Sequence, residues 1–361
     1  MAIERIVITG DVFRTSGGEA NQLSNVRWLH AELARDLERL TGLLPEIRFR
    51  HNEPDAGCTI IWRWYSLLGH TPSLEAWAAT FNVTCPPSEL VDELRWDYER
   101  SLVIGFEMSP LITSVLDAIG VSWINIALSP IRFLEDLALT LRFSWMVRIT
   151  HPGLVYCDQI DEAVRQFRER YKHDSSPSCI DKACVFLAQT EHDRSLIRNG
   201  QFYPDSEVLQ RVDQALKGRP LFLRPHPLAP ANPILSALEH RFAARRIEAN
   251  TYALLAGPGK VHYLSISSSA AVEAKLFGHS VDLFHGLAFF ENWGCETSLW
   301  AHRSASFWRA ALSPIMTVNS NADFEERTTP DRLRRLHGSW GISPPLLGGV
   351  TGQNCLSVVP G

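Results

Sequence analysis

Arg224-Pro225-His226-Pro227 follows the apolar run Pro220-Leu221-Phe222-Leu223. A guanidinium and an imidazole this close can complement a phosphate, the first as a fork donor and the second as a donor or a cation. Proline on each side of His226 fixes φ and removes two backbone donors. The imidazole is thus held at the carboxyl end of a short strand. In open α/β sheets, ligands bind in the crevice outside such ends. The plainer alternative is a surface turn with a solvated Arg. Further on, residues 263–274 read as a strand, a Ser-rich turn and a helix start. Ser267, Ser268 and Ser269 can cap that helix, and the N–H groups and hydroxyls of a helix start can also bind an anion. Glu273, one turn in, offers either compensation of the helix dipole or an acceptor for ribose hydroxyls. Together the two segments suggest a nucleotide-phosphate site.

Carboxylates complete the chemistry. The loop after the apolar run 183–188 is Gln189-Thr190-Glu191-His192-Asp193-Arg194-Ser195. Asp193 is either the cap of a helix starting near Arg194 or a nucleophile or base beside a donor sugar. Gly105-Phe106-Glu107 puts a second carboxylate at a strand end. Alone it would be an ordinary exposed Glu. Opposite Asp193 across a cleft it becomes a candidate general acid/base. Asp11, in the loop after the first strand, and Arg132, after the strand 123–127, are the candidates for the acceptor side.

Several chemistries lack their motifs. No G-x-G-x-x-G follows the first strand, and Gly17-Gly18 comes too late. No G-x-x-x-x-G-K-[ST] is present, so dinucleotide and P-loop sites lose their main support, and with them a nucleotide-sugar epimerase or dehydrogenase. There is no D-x-D and no H-E-x-x-H. Seven cysteines, an odd number without a C-x-x-C pair, argue against a disulfide framework and a zinc site. No metal site is expected. A reducing cytosol fits best.

The elements that must position these residues follow from the alternation of apolar runs and helical patterns, the α/β signature. Strands are expected at 6–9, 102–106, 123–127, 183–188, 220–223, 262–266 and 281–284. Helices are expected at 26–40, 110–119 closed by Gly120, 161–171, 206–217, 233–245, 269–277 closed by Gly278, 304–311 and 330–336. The polar stretch Lys172-His173-Asp174-Ser175-Ser176-Pro177-Ser178 reads as a linker. The expected division is an N-terminal acceptor-side domain over 1–174, a C-terminal donor-binding domain over 179–340 that keeps the terminal helices, and a Gly/Pro-rich tail over 341–361. With 361 residues, two such domains are the natural count.

A chain that is 45% hydrophobic and 21% charged is globular, not disordered. A net charge of −5 gives no support to a nucleic-acid partner. No apolar stretch approaches the roughly 20 residues of a membrane span, and the N-terminus lacks the apolar core of a signal peptide. Membrane contact is expected to be peripheral at most. Of the eleven Trp, Trp62, Trp64, Trp293 and Trp308 could line a sugar site, although core packing is the commoner use.

Taken in order, the motif 189–195, Leu223-Arg224-Pro225-His226-Pro227, the stretch 267–281 and Trp293-Gly294 resemble the bacterial β-Kdo transferases of capsule and O-antigen assembly. Gly105-Phe106-Glu107 and Ser129-Pro130-Ile131-Arg132-Phe133 look like the same group. The likeness spans most of the chain. It implies a GT-B fold, two Rossmann-like domains facing across a central cleft. It implies CMP-Kdo as donor substrate, no cofactor, no obligatory metal and retention of configuration. Asp193 would form the covalent Kdo adduct. His226 would contact the CMP phosphate with Arg224, Gln189, Ser267, Ser268 and Ser269 around it, Glu273 would take the ribose, and Glu107 would serve as acid/base. Partners would be the CMP-sugar, a glycan acceptor on a lipid carrier and other glycosyltransferase modules. The place would be the cytoplasm, at the inner face of the membrane. Another CMP-nonulosonate such as sialic acid, or a silent GT-B glycan-binding module, are the alternatives.

Overall fold

A computed structural model of the protein describes residues 2–15, 19–49, 57–173, 180–257, 259–285 and 296–324. Trp293-Gly294, Gly17-Gly18, the middle of the linker, the expected helix over 330–336 and the tail after 341 lie outside them.

The chain begins with β1 (Arg5–Gly10), α1 (Glu19–Thr41), β2 (Glu46–Ile47), α2 (Gly57–Leu67), α3 (Leu74–Phe81) and α4 (Ser88–Tyr98). It continues with β3 (Ser101–Phe106), α5 (Pro110–Ile119), β4 (Ser122–Leu128), β5 (Leu139–Phe143) and α6 (Cys157–Tyr171). β1 and β3 are apolar on both faces and buried almost throughout, which is how a parallel strand covered by helices reads. α5 shows local start and stop signals. Ser109 caps it, Pro110 opens it, and Gly120 closes it at φ 82°, a left-handed C-terminal residue that only glycine adopts freely.

The second series is β6 (Cys184–Leu187), the hairpin β7 (Ile197–Arg198) and β8 (Gln201–Phe202), α7 (Asp205–Leu216), β9 (Leu221–Arg224), α8 (Pro233–Phe242) and β10 (Arg245–Arg246). α9 (Thr251–Ala256), β11 (His262–Ser265), α10 (Ser269–Leu276) and β12 (Ser280–Leu283) follow, then β13 (Glu296–Ser298) and α11 (Ala305–Leu312). Two sheets result. The first has the order β13-β5-β4-β3-β1-β2, with β2, β1, β3 and β4 parallel and β5 and β13 antiparallel additions. The second is wholly parallel, in the order β10-β9-β6-β11-β12. The protein is thus α/β with two Rossmann-like sheets, as the GT-B architecture requires.

Two segments cross the division expected from the linker. α6 leaves the first sheet and packs Val164 and Phe167 among Phe133, Tyr252 and Phe277 in the core of the second. α11 returns to the first, where Phe307 and Trp308 are fully buried in the core with the residues of β1 and β3. β13 likewise pairs with β5. Composition locates a flexible linker, but the choice of core is made by apolar faces that meet only in three dimensions.

Candidate active site

Each sheet reverses its strand order once. In the second sheet the chain runs from β6 outward to β9 and β10, then returns to place β11 on the other side of β6. The carboxyl ends of β6 and β11 therefore splay at a topological switch point, where ligands of such sheets bind. In the first sheet the corresponding point lies between β1 and β3. Asp11 and Glu107 follow those two strands directly.

The loop after β6 is tied to the loop after β11. Gln189 Oε1 accepts from Ser267 N at 2.8 Å, and its Nε2 donates to Ser267 Oγ and to Ser195 Oγ, each at 3.1 Å. Ser267 Oγ donates to Ser195 Oγ at 2.9 Å. Ser268 caps α10, accepting from Ala270 N, while Ser269 is its first residue. So Gln189 and Ser267, expected to touch the donor, form the knot that fixes the switch point. At the helix start Ser268 N donates to Ser265 Oγ at 3.1 Å and Ala271 N to Ser268 O at 3.0 Å, and among the described residues Ser269 N has no partner.

Asp193 sits within this loop. It is the cap of the 3₁₀ turn Arg194–Leu196, with Oδ1 accepting from Ser195 N at 2.8 Å. Among the described residues Oδ2 has no hydrogen-bond partner. The carboxylate can therefore cap through one oxygen and offer the other. His226 feels its charge. Burial holds the imidazole below its ordinary range, Asp193 opposes this, and Arg224 adds to it. Leu228 N donates to His226 Nδ1 at 3.1 Å, so the neutral ring carries its proton on Nε2. Arg224 is half-buried, donates Nη1 to Pro225 O at 3.2 Å, and keeps a buried Nε without a partner. Burial lowers its pKa, but a guanidinium stays charged. It is a cation with no carboxylate beside it among the described residues.

Glu107 crosses from the first sheet. Its carboxylate meets Arg194 at 3.0 Å, with both side chains largely buried. It stands at φ 53°, a left-handed backbone uncommon for a residue with a side chain and often found at functional positions. The geometry has a cause. Asn125 pins the turn by accepting from Met108 N and donating to Met108 O, both at 2.9 Å. Met108 in turn lies over Gly105, where a Cβ would come within 2.2 Å of it. The motif Gly105-Phe106-Glu107 needs glycine for that approach.

Other expected residues are engaged inside the protein. Asp11 is buried and accepts from Trp77 Nε1 at 2.9 Å and from Ser109 Oγ at 3.1 Å. Burial raises its pKa against those bonds. It ties β1 to α3 and α5 and is enclosed, not turned to an acceptor. Glu273 is buried too, accepting from Arg132 N at 2.6 Å and from Tyr252 OH at 3.1 Å. Its oxygens hold the loop after β4 against the second sheet in place of the expected ribose contact. Burial lowers the pKa of Arg132, and the charges of Glu107 and Glu273 oppose this.

The expectation missed three parts. Arg194 has no role of its own in the motif as read from the sequence, yet it carries the link to Glu107. Asn232 donates to Gln189 O at 2.8 Å and caps α8; its place before Pro233 was a readable cap signal. The β7–β8 hairpin brings Phe202 against Trp77 of α3. Its turn residues Asn199 and Gly200 both have positive φ, and Asn-Gly is a strong hairpin signal. Of the tryptophans, Trp64 and Trp308 are core residues, whereas Trp62 is 55% exposed.

Fold and site define a two-sheet α/β protein whose two switch points are joined by the Glu107–Arg194 pair. No family model and no curated protein matches the sequence. Solved structures that share a loose likeness with it include two sugar-processing enzymes. Thermosulfurimonas dismutans KpsC, a beta Kdo 2,7 transferase, has 18% identity and a TM-score of 0.35, covering 62% of this chain and 80% of that one. Methanocaldococcus jannaschii UDP-GlcNAc 2-epimerase, in complex with UDP-GlcNAc and UDP, has 10% identity and a TM-score of 0.26, covering 76% of this chain and 82% of that one. Among the described residues no helix is long and apolar enough to cross a membrane.

Proposed function

We propose that the protein is a glycosyl-processing enzyme that takes a nucleotide-activated sugar into this cleft. More closely, it is a retaining β-Kdo transferase using CMP-Kdo and a glycan acceptor on a lipid carrier, at the cytoplasmic face of a bacterial membrane. One observation carries the proposal. Asp193, with Oδ2 uncommitted among the described residues, stands in electrostatic reach of His226 and beside the Arg194 that holds Glu107. The ordered motifs of the sequence support the donor.

In this scheme the CMP phosphate lies at Arg224 and the start of α10, where the guanidinium offsets its charge and the N–H of Ser269 and His226 Nε2–H donate to its oxygens. Asp193 Oδ2 attacks the anomeric carbon as the bond to the phosphate oxygen breaks, and CMP leaves. The acceptor hydroxyl then attacks that carbon and releases Asp193, its proton passing to Glu107. Two inversions retain configuration. Glu107 must loosen its hold on Arg194 for this step. The Glu107–Arg194 pair favours a second possibility: cleft groups satisfied without ligand also suit a silent glycan-binding module.

The test is turnover of CMP-Kdo with a panel of glycan acceptors, with Asp193→Asn beside the wild type under intact-mass detection. CMP release with Kdo transfer, absent in the variant, supports donor and nucleophile together. Turnover with CMP-sialic acid alone moves the donor. Glycan binding without any CMP-sugar binding supports the silent module and sinks the transferase.

A further inference from the structure

The second sheet has another edge, unused by the cleft. Lys182, Arg219, His262 and Ser280 stand at or just before the first residues of β6, β9, β11 and β12. A pocket of about 750 Å³ opens there. Arg168, Lys172, Lys182, Arg219 and Lys260 line it, and among the described residues no carboxylate does. The chain as a whole carries a net charge of −5, so five cations around one hollow run against its overall balance. A four-residue strand is about 13 Å long, which separates this pocket from Gln189 and Ser267 at the opposite ends of β6 and β11.

Some of these cations have internal duties. Arg168 donates to Phe277 O at 2.7 Å and Arg219 to Ala215 O at 2.7 Å. They close α10 and α7, whose C-terminal carbonyls favour cations. Lys172 pairs with Glu169. At the rim, Asp282 meets His262 Nε2 at 3.0 Å, and Asp181 accepts from Lys260 N at 2.9 Å. The ammonium groups of Lys182 and Lys260 have no such duty. Both side chains are exposed and neither has an ion-pair or hydrogen-bond partner among the described residues. Lys182 N donates to Lys260 O at 3.0 Å, so the two stand side by side on adjoining segments. With their backbones adjacent, two long side chains at the mouth of a cationic hollow can reach one anion between them.

We propose that this pocket binds a phosphate-bearing anion, gripped by Lys182 and Lys260 with Arg168 and Arg219 completing its wall. Ammonium and guanidinium groups both form strong charge-assisted bonds to phosphate oxygens. The phosphate belongs either to a soluble phosphorylated compound or to the headgroup of an anionic lipid. The site is independent of the cleft and of the function proposed for it.

The experiment titrates inorganic pyrophosphate into the wild type and a Lys182→Gln/Lys260→Gln double variant. Both are also sedimented with vesicles of phosphatidylglycerol and of phosphatidylcholine. Arg224→Gln runs alongside to remove the anion contact of the cleft, and Lys182→Arg/Lys260→Arg separates charge from fold. The expected result is binding that weakens at least about tenfold in the Gln double variant, as the loss of two charge-assisted contacts implies. It persists in Arg224→Gln and in the Arg double variant. Pyrophosphate binding marks a soluble ligand; selective sedimentation with phosphatidylglycerol marks a lipid headgroup. Binding that the Gln double variant leaves unchanged, or binding of neither probe by the wild type, overturns the proposal.

Discussion

Asp193 performs two jobs with two oxygens, and they can be separated by substitution. Asn keeps a cap acceptor for Ser195 N but is a poor nucleophile. Asp193→Asn should therefore fold and melt like the wild type while transfer falls by more than the roughly 10²–10³-fold typical of losing one phosphate or oxyanion donor. Arg224→Gln should fall within that smaller range in the same assay. A transfer rate for Asp193→Asn close to the wild type would remove the nucleophile from the scheme. Gly105 is a sharper probe of Glu107. A methyl group there collides with Met108, and overpacking costs about 1–3 kcal/mol. Gly105→Ala should lose stability by that amount in urea unfolding and lose a larger share of activity, because Met108 sets the turn that aims Glu107. An activity loss no greater than the stability loss explains would separate Glu107 from the chemistry.

At the level of elements, the interlocked halves make a prediction about α6 and α11. Phe167 and Trp308 are fully buried, in different cores. Truncating either to Ala should cost about 3–5 kcal/mol. Hydrogen exchange should show where the cost falls. Phe167→Ala should loosen the second sheet although α6 precedes the linker. Trp308→Ala should loosen the first although α11 follows every strand of the second. The opposite pattern would mean that these helices belong with their sequence neighbours.

Across the whole molecule, buried histidines couple stability to pH. Burial holds His226, His279 and His285 below the ordinary imidazole value of 6.5, and His302 well below it. In that range the unfolded chain binds protons that the folded chain refuses. Stability is then complete above about pH 6.5 and falls as pH drops through the folded values. Urea midpoints should hold from pH 7.5 to about 6.5 and decline from there to pH 5.5. His302→Gln should flatten the decline, because His302 is enclosed, with Ser298 Oγ at its Nδ1 and no partner for its Nε2 among the described residues. A midpoint that does not change over this interval would show that the folded histidines titrate like those of the unfolded chain.

What the sequence determined by itself is local. Ser109, Pro110 and Gly120 mark both ends of α5 in the residues themselves, because caps and left-handed terminators act within a turn of the helix. The apolar runs of β1, β3 and β6 announce buried parallel strands for the same reason. The Asp193 cap and the His226 turn were legible because each lies within a few residues of its partners. Arg194, Asp11 and Glu273 were not. Their partners, Glu107, Trp77 and Arg132, lie 87, 66 and 141 positions away. Only tertiary structure decided that Glu107 meets Arg194, that Glu273 holds the loop after β4, and that α6 and α11 exchange cores. Contacts at that separation depend on how two sheets face each other, and no short-range pattern of polarity records that.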